Sequence, residues 1–219
     1  ALSDFGPDLP GVLTAFPSRD VTNSLVQVLC PRKQMYAAES EKFAHITYFF
    51  NGGYAQHFCD EKCVKIASPE VKNYAERPEM SAKPLADYII GAIESRQYEF
   101  IAMNFANPDM VGHTGNFTAA QKAVSVVDRE IARLIKVLIK NGGQAIVTAD
   151  HGNIEEIINP NSGEPDTEHS TNLVPFILIN SRIKAPRKLP DGKLANVAPT
   201  ILKMMGIAKP AEMTAKSLV

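Results

Sequence analysis

The chain has 219 residues, 45% of them hydrophobic, with 23 basic and 24 acidic side chains and a formal net charge of -1. This length and apolar content suffice for one sizeable core or two small ones. The balanced charge creates no global field that favours nucleic acid or an anionic membrane, so neither is expected as a partner. The longest apolar strand-like run near the C-terminus, residues 174–179, is too short to span a bilayer, and we expect no signal peptide.

Three cysteines, Cys30, Cys59 and Cys63, cannot all pair within the chain. This odd number indicates a reducing compartment, and the cytoplasm is the default expectation. Cys59 and Cys63 could form half of a zinc site, but no second Cys or His pair follows at zinc-finger spacing. We therefore predict ordinary free thiols at these two positions.

Strand-like and helix-like segments alternate from about Leu25 onward. Residues 46–50 are β-branched and aromatic and stop at an Asn-Gly-Gly turn, which predicts a strand. Ser81 is predicted to cap a helix whose apolar residues recur at helical spacing as far as Ile93. Residues 100–105 lack alternation, which is typical of a strand buried on both faces.

The clearest helix follows this strand. Thr118 and Gln121 have the spacing of a capping box, and an apolar stripe then runs from Val124 to Leu138. Gly142 is predicted to end the helix in a left-handed conformation. Two further strands at residues 145–149 and 174–179 and a last helix at residues 196–205 complete the pattern.

Strands separated by helices predict parallel pairing. The expected fold class is α/β: a three-layer sandwich with a mostly parallel sheet and helices on both faces. One domain is expected over residues 21–219. Residues 1–20, with Pro7, Pro10 and Pro17 spaced along them, have the composition of a connector.

Three short segments together supply two carboxylates and three imidazoles: Asp109, His113, Asp150, His151 and His169. Each segment adjoins an apolar, strand-like run, and open parallel sheets bind ligands beyond the carboxyl ends of their strands. Asp109 and His113 are four residues apart, which places both side chains on one face of a helical turn. The set is about what two divalent cations require from protein.

Each segment alone has an ordinary structural explanation. Asp109 with His113 could be a solvated pair on a helix, Asp150 could cap a following helix, and His169 could be a surface residue. Together they favour a metal site, because each histidine has a carboxylate or hydroxyl beside it that could orient its ring. Mixed oxygen and imidazole ligation suits Mn²⁺ or Zn²⁺ rather than Ca²⁺, and two such cations favour phosphoryl transfer or hydrolysis.

These segments, Asn107-Pro-Asp-Met-Val-Gly-His-Thr-Gly, Thr148-Ala-Asp-His-Gly-Asn and His169-Ser-Thr-Asn, resemble the cofactor-independent phosphoglycerate mutases of the alkaline phosphatase superfamily. Residues 39–53, 68–71, 77–81 and 212–218 share the resemblance, with Ala215 where a glycine is usual. It extends from about Asp8 to the last residue. Tyr36 stands where many members of the family carry arginine.

The resemblance implies that one Mn²⁺ is held by Asp109, His113 and His169. It implies that Asp150 and His151 help to hold a second Mn²⁺. Mg²⁺, Co²⁺ or Zn²⁺ are the alternative ions, and the implied enzyme does not need 2,3-bisphosphoglycerate.

Lys42 matches the lysine that contacts the transferring phosphoryl group, whose spread charge a cation complements. Without the resemblance it would be read as an exposed lysine in a charged loop. The implied activity is the glycolytic interconversion of 3-phosphoglycerate and 2-phosphoglycerate through a phosphoserine intermediate. The expected partner is thus a small phosphorylated substrate. His45 and His57 are read as structural.

In that family, a first segment with an Asp ligand and the nucleophilic serine, followed by an inserted transferase domain, precedes the part that this chain resembles. Residues 1–20 are therefore read as the connector from that domain and residues 21–219 as the C-terminal portion of the phosphatase domain, incomplete at its N-terminal end. We expect no nucleophilic serine here, no activity from this chain alone, a monomeric full-length enzyme and self-association of the shorter chain. The alternatives are a stand-alone metal-dependent phosphohydrolase, a phosphopentomutase-like enzyme, or a metal-stabilised domain that acts in folding or association.

Overall fold

The computed structural model describes residues 2, 13–16, 21–54, 57–181 and 186–219. Most of the predicted connector over residues 1–20 therefore lies outside the described residues, and its role stays a prediction. Within the described ranges, no helix is both long enough and apolar enough to cross a membrane.

The elements alternate along the chain much as the sequence pattern predicts. In chain order they are α1 (Leu25–Val28), β1 (Gln34–Glu39), β2 (Lys62–Ile66), α2 (Ala82–Ser95), β3 (Phe100–Asn104), α3 (Asn107–Gly112), α4 (Phe117–Lys140), β4 (Gln144–Thr148), β5 (Phe176–Asn180) and α5 (Val197–Met204). Short 3-10 helices occur at Ser40–Lys42, Tyr74–Glu76, Ile154–Glu156 and Leu194–Asn196.

The first three strands form a parallel sheet with β1 in the centre, where Ala37 pairs with Val64 of β2 and Met103 of β3. β4 and β5 form a separate ladder that is antiparallel, so the predicted parallel pairing is wrong for β5. A parallel return needs a crossover element, and between β4 and β5 the described chain has only one 3-10 turn and loops. β3 and β4 each keep one unpaired edge within the described part, and β3 is accordingly half-buried rather than enclosed on both faces.

Helices cover both faces of the sheet, which confirms the predicted three-layer α/β sandwich. On one face, Met35 and Ala37 of β1 pack with Leu85 and Ile89 of α2 and Leu134 of α4. On the other face, apolar side chains of α1 and α5 enclose a second cluster that includes Leu25, Leu29, Leu202 and Phe100.

The predicted strand at residues 46–50 is wrong, because these residues form a π-helix over His45–Phe49. The Thr47 hydroxyl donates to the Phe43 carbonyl at 2.7 Å, and the Phe50 ring packs edge-on against Tyr36 with centroids 5.3 Å apart. The aromatic side chains therefore pack from a helical turn instead of a ladder, a case of tertiary context overriding β-propensity.

Two helix starts also differ from prediction. Asn116, not Thr118, caps α4, and its side chain accepts from the Ala119 N–H at 3.0 Å. Ser81 precedes α2 as predicted, but its hydroxyl donates to the Ala67 carbonyl and makes no cap bond. The predicted end of α4 is confirmed, because Gly142 has φ +77°.

The prediction of a free thiol is wrong for Cys59, which is bonded to Cys30 in a disulfide with Cα atoms 6.0 Å apart. The end of α1 and the loop before β2 converge here, and the Gln34 side-chain amide donates to the Val26 carbonyl at 3.3 Å beside the pair. The spacing of the cysteines alone does not predict that two segments 29 residues apart come into contact. Cys63 is a free cysteine, as predicted.

Candidate metal centre

Asp109 and His113 lie on α3, which follows β3 directly. Asp109 is in the first turn of this helix, and His113 caps its C-terminal end one turn later. The four-residue spacing brings His113 Nε2 to 3.2 Å from Asp109 Oδ1. One carboxylate oxygen and one imidazole nitrogen therefore face the same point at the carboxyl end of the parallel sheet.

His169 reaches this point from the loop that precedes β5. Its Nε2 lies 3.2 Å from Asp109 Oδ1 and 3.2 Å from His113 Nε2. Two ligand atoms each about 2.2 Å from one ion lie about 3 Å apart when they subtend a right angle. The three atoms thus have the spacing of ligands around one cation, and these three residues are the set that the family resemblance implies for the first ion.

His151, which follows β4, belongs to the same cluster. Its ring stacks on that of His169 with centroids 3.7 Å apart, and its Nε2 is 3.9 Å from Asp109 Oδ1. The ligand atoms of Asp109, His151 and His169 all lie within 4.8 Å of one another. Asp150 is further out: its carboxylate contacts His151 Nε2 at 3.5 Å, and its side chain is 63% exposed.

Backbone carbonyls orient two of the imidazoles. His113 Nδ1 lies 2.7 Å from the Thr167 carbonyl, and His151 Nδ1 lies 3.3 Å from the Gly152 carbonyl. Because a carbonyl oxygen can only accept, each Nδ1 donates its hydrogen, and in the neutral ring Nε2 then has the lone pair that could bind a cation. The donor set therefore fits a divalent cation that takes nitrogen and oxygen ligands.

Lys42 ends the 3-10 helix after β1, and its ammonium group forms an ion pair with Asp109 Oδ2. Both side chains are largely enclosed, with 12% and 15% of their surface exposed. Burial alone would raise the pKa of Asp109, but the hydrogen bond from Lys42, its charge and the amide of Asn153 outweigh burial and hold the pKa below its usual range. An ionised carboxylate and a cation thus stand side by side at the edge of the histidine cluster.

Sequence reasoning missed two residues that support the cluster. The Asn153 amide is buried and donates to Asp109 Oδ1 at 3.0 Å. Glu155 accepts hydrogen bonds around the His169 loop, and although partial burial opposes it, this bonding lowers the pKa of Glu155 to about 2. Asn153 lies in the Asp-His-Gly-Asn segment, so this motif was a signal that could have identified it. The role of Glu155 depends on a contact with a loop 15 residues away.

Comparison with known proteins places these residues in a family. A profile described as "Metalloenzyme superfamily" matches residues 15–209. The chain belongs to the metalloenzyme superfamily. It is 50% identical over 208 residues to "2,3-bisphosphoglycerate-independent phosphoglycerate mutase 2" of Methanosarcina barkeri, covering 94% of this chain and 39% of that protein. It is 43% identical to the Clostridioides difficile protein named 2,3-bisphosphoglycerate-independent phosphoglycerate mutase, covering 100% and 43%.

A solved structure gives the same result for the fold. The phosphoglycerate mutase of Leishmania mexicana, in crystals at low cobalt concentration, superposes with a TM-score of 0.84 at 29% identity, covering 92% of this chain and 40% of that one. The predicted resemblance to cofactor-independent phosphoglycerate mutases is thereby confirmed. The chain spans about two fifths of the length of these relatives.

Proposed function

We propose that this chain provides the metal-binding and phosphoryl-binding part of a cofactor-independent phosphoglycerate mutase, which interconverts 3-phosphoglycerate and 2-phosphoglycerate in glycolysis and gluconeogenesis. The observation that carries the proposal is the convergence of three imidazoles and the Lys42 ammonium on the Asp109 carboxylate. Its support is the 43–50% identity to proteins that bear this enzyme's name.

Asp109, His113 and His169 would hold one divalent cation, and His151 with Asp150 would contribute to a second. Mn²⁺ is the ion we assign, because a mixed set of carboxylate and imidazole ligands suits it. Such cations neutralise phosphoryl oxygens and lower the pKa of a coordinated hydroxyl group.

Lys42 has a separate task in this proposal. Its ammonium group contacts Asp109 Oδ2, whereas the imidazoles face Oδ1. A phosphoryl oxygen that arrives beside the carboxylate would therefore meet Lys42 as a hydrogen-bond donor and a compensating charge. Because the Lys42 side chain is only 12% exposed, little solvent screens that interaction.

The phosphorylated serine of the mutase reaction has no assigned residue in this chain. Ser170 is the hydroxyl beside His169, but it donates to Glu155 and is committed to the loop. We propose that the nucleophile and the glycerate-binding groups lie outside these 219 residues. The chain alone would then bind metal without turning over substrate, since a positioned nucleophile contributes most of the rate.

Titration with Mn²⁺, followed by electron paramagnetic resonance of the free ion, tests the metal assignment. We expect the wild-type chain to bind Mn²⁺. His169→Ala should weaken binding by more than about 100-fold, because loss of a direct ligand should cost more than the about 10–100-fold effect of losing an outer contact. His45→Gln is the matched control, because His45 is an exposed histidine that packs on Phe49 outside the cluster. Failure of the wild-type chain to bind any divalent cation would overturn the proposal.

Two further measurements separate the remaining parts of the proposal. Lys42→Met should retain Mn²⁺ but bind inorganic phosphate more weakly than the wild-type Mn²⁺-loaded chain. Conversion of 3-phosphoglycerate by the purified chain would contradict the assignment of the nucleophile to another part of the protein.

A further inference from the structure

We propose that Glu155 is a positioning residue that fastens the loop bearing His169 to the turn bearing His151, and that it thereby sets the spacing of the metal ligands. The inference rests on the proposed metal site. Glu155 lies in the 3-10 helix Ile154–Glu156, which follows the Asp-His-Gly-Asn turn, and it is not itself a ligand.

The carboxylate of Glu155 bonds to both segments at once. Its Oε1 accepts from the Ser170 hydroxyl and from the Asn172 side-chain amide, the latter at 3.1 Å. Its Oε2 accepts from the backbone N–H of Asn153 at 2.9 Å. One side chain therefore joins the residue after His169 to the residue that follows Gly152.

These contacts lie next to the ligands on each side. Ser170 adjoins His169, and Asn153 donates its amide to Asp109 Oδ1 at 3.0 Å. The His151 and His169 rings stack at 3.7 Å between the joined segments. A shift of the His169 loop would therefore move one imidazole relative to another imidazole and to the shared carboxylate.

Near His169, two other side chains also contact this loop: His113 Nδ1 lies 2.7 Å from the Thr167 carbonyl, and Glu156 accepts from the Asn172 amide at 2.8 Å. Between Ile154–Glu156 and β5 the described residues form no helix or regular strand, and two isolated bridges, Gly152 with Ser170 and Ile158 with Pro165, supply the ladder contacts. The Ser170 N–H donates to the Gly152 carbonyl at 3.0 Å. Glu155 thus adds two hydrogen bonds, from Ser170 and Asn172, to this one backbone bond between the turn and the loop.

The close approach at Gly152 supports the same arrangement. A Cβ atom at this position would collide with the Ser170 hydroxyl and with Glu155 Oε1. The turn therefore needs glycine to let the loop and the carboxylate come together, a close approach that no other residue type permits without displacement.

Glu156 provides a matched control. It is the next residue on the same 3-10 turn and carries the same charge, but it makes a single bond, from the Asn172 amide at 2.8 Å. Glu156→Gln removes one negative charge near the site while it leaves the Ser170 and Asn153 contacts in place. Glu155→Gln and Glu156→Gln each remove one negative charge. If acidic residues only attract cations electrostatically, both substitutions should therefore lower Mn²⁺ affinity.

The experiment is a Mn²⁺ titration of the 219-residue chain as wild type, Glu155→Ala, Glu155→Gln and Glu156→Gln. We expect Glu155→Ala to weaken Mn²⁺ binding by about 10–100-fold, the effect typical of removing a residue that orients ligands. Glu155→Gln should recover part of the loss, because its amide oxygen can still accept from Ser170. Glu156→Gln should stay close to wild type. The imidazole Hε1 resonances of His151 and His169 should shift in the metal-free Glu155→Ala chain, whereas that of His45 should not.

The outcomes separate this inference from the proposed function. If the wild-type chain binds no Mn²⁺, the metal site itself fails. If the wild-type chain binds Mn²⁺ and Glu155→Ala binds equally well, or if Glu156→Gln loses as much affinity, the positioning role is refuted. If Glu155→Ala shows no cooperative urea transition and is therefore unfolded, Ser170→Ala tests the same link by removing one hydroxyl. Unchanged Mn²⁺ affinity in Ser170→Ala would also refute the positioning role of Glu155.

Discussion

Glu39 is a buried carboxyl group whose replacement by glutamine should change how stability depends on pH. It ends β1, has no exposed surface and accepts a hydrogen bond from the Ser81 N–H at 3.0 Å. Burial raises the pKa of Glu39 to about 7, against the opposing effect of the Ser81 hydrogen bond and with a smaller contribution from the charge of Glu41. The folded chain therefore holds a proton on Glu39 that the unfolded chain releases at lower pH.

The sign and size of the effect follow from linkage. Because the pKa is raised from 4.5 to about 7 in the folded state, the contribution to stability is fully present below pH 4.5 and is lost as pH rises through 7. A shift of this size corresponds to about 3 kcal/mol of unfolding free energy. Glu39→Gln carries no ionisable group and keeps an oxygen to accept from Ser81, so it should not lose this stability.

Urea denaturation of both proteins at intervals between pH 4.5 and 8.5 measures the difference. The unfolding free energy of Glu39→Gln relative to wild type should rise with pH and approach about 3 kcal/mol more at pH 8.5 than at pH 4.5. Glu94→Gln, a change at an exposed position of α2, serves as the control and should not reproduce that rise. A difference between Glu39→Gln and wild type that stays flat across this range would refute the reasoning.

Two further substitutions have defined outcomes. Gly112→Ala should lower Mn²⁺ affinity in the Mn²⁺ titration, because a Cβ at this helix position collides with the Asn153 amide that donates to Asp109. Unchanged affinity would show that this amide has room to move. Leu85→Ala should lower the unfolding free energy by about 2–5 kcal/mol in urea, because Leu85 is fully enclosed between helix and sheet. Val124→Ala at an exposed position of α4 is its control and should cost less than about 1 kcal/mol.

The helical spacing of apolar residues located α2 and α4 from the sequence, and short apolar runs located the strands β3 to β5. Such patterns record which side of an element is buried. The aromatic segment at residues 46–50 was misassigned because its β-branched and aromatic composition is typical of a strand. In the folded chain it forms a helical turn, next to which Phe50 packs against Tyr36. The direction of β5 was misassigned because parallel pairing was extended from strands separated by helices to a pair with no predicted helix between them, although a parallel return needs a crossover element.

The candidate site was predictable to the extent that it is local. The spacing of Asp109 and His113 on one helix, and the glycine after His151, could be interpreted from the chain itself. The stacking of His151 on His169 and the links made by Glu155 join segments that lie 15 to 18 residues apart. No helical or strand period relates such positions, so their contact required the folded structure.

The arrangement around Asp109 also constrains how metal and phosphate binding depend on each other. Oδ1 faces the imidazoles and Oδ2 faces Lys42, so one carboxylate stands between the groups that we propose bind the cation and the group that we propose binds the phosphoryl oxygens. Without a cation at Oδ1, the carboxylate neutralises Lys42 and leaves it less available to an anion. A cation bound at Oδ1 withdraws part of that negative charge, which frees the ammonium group to attract phosphoryl oxygens. Metal binding should thus strengthen phosphate binding through Asp109, and by reciprocity phosphate should strengthen metal binding by the same factor.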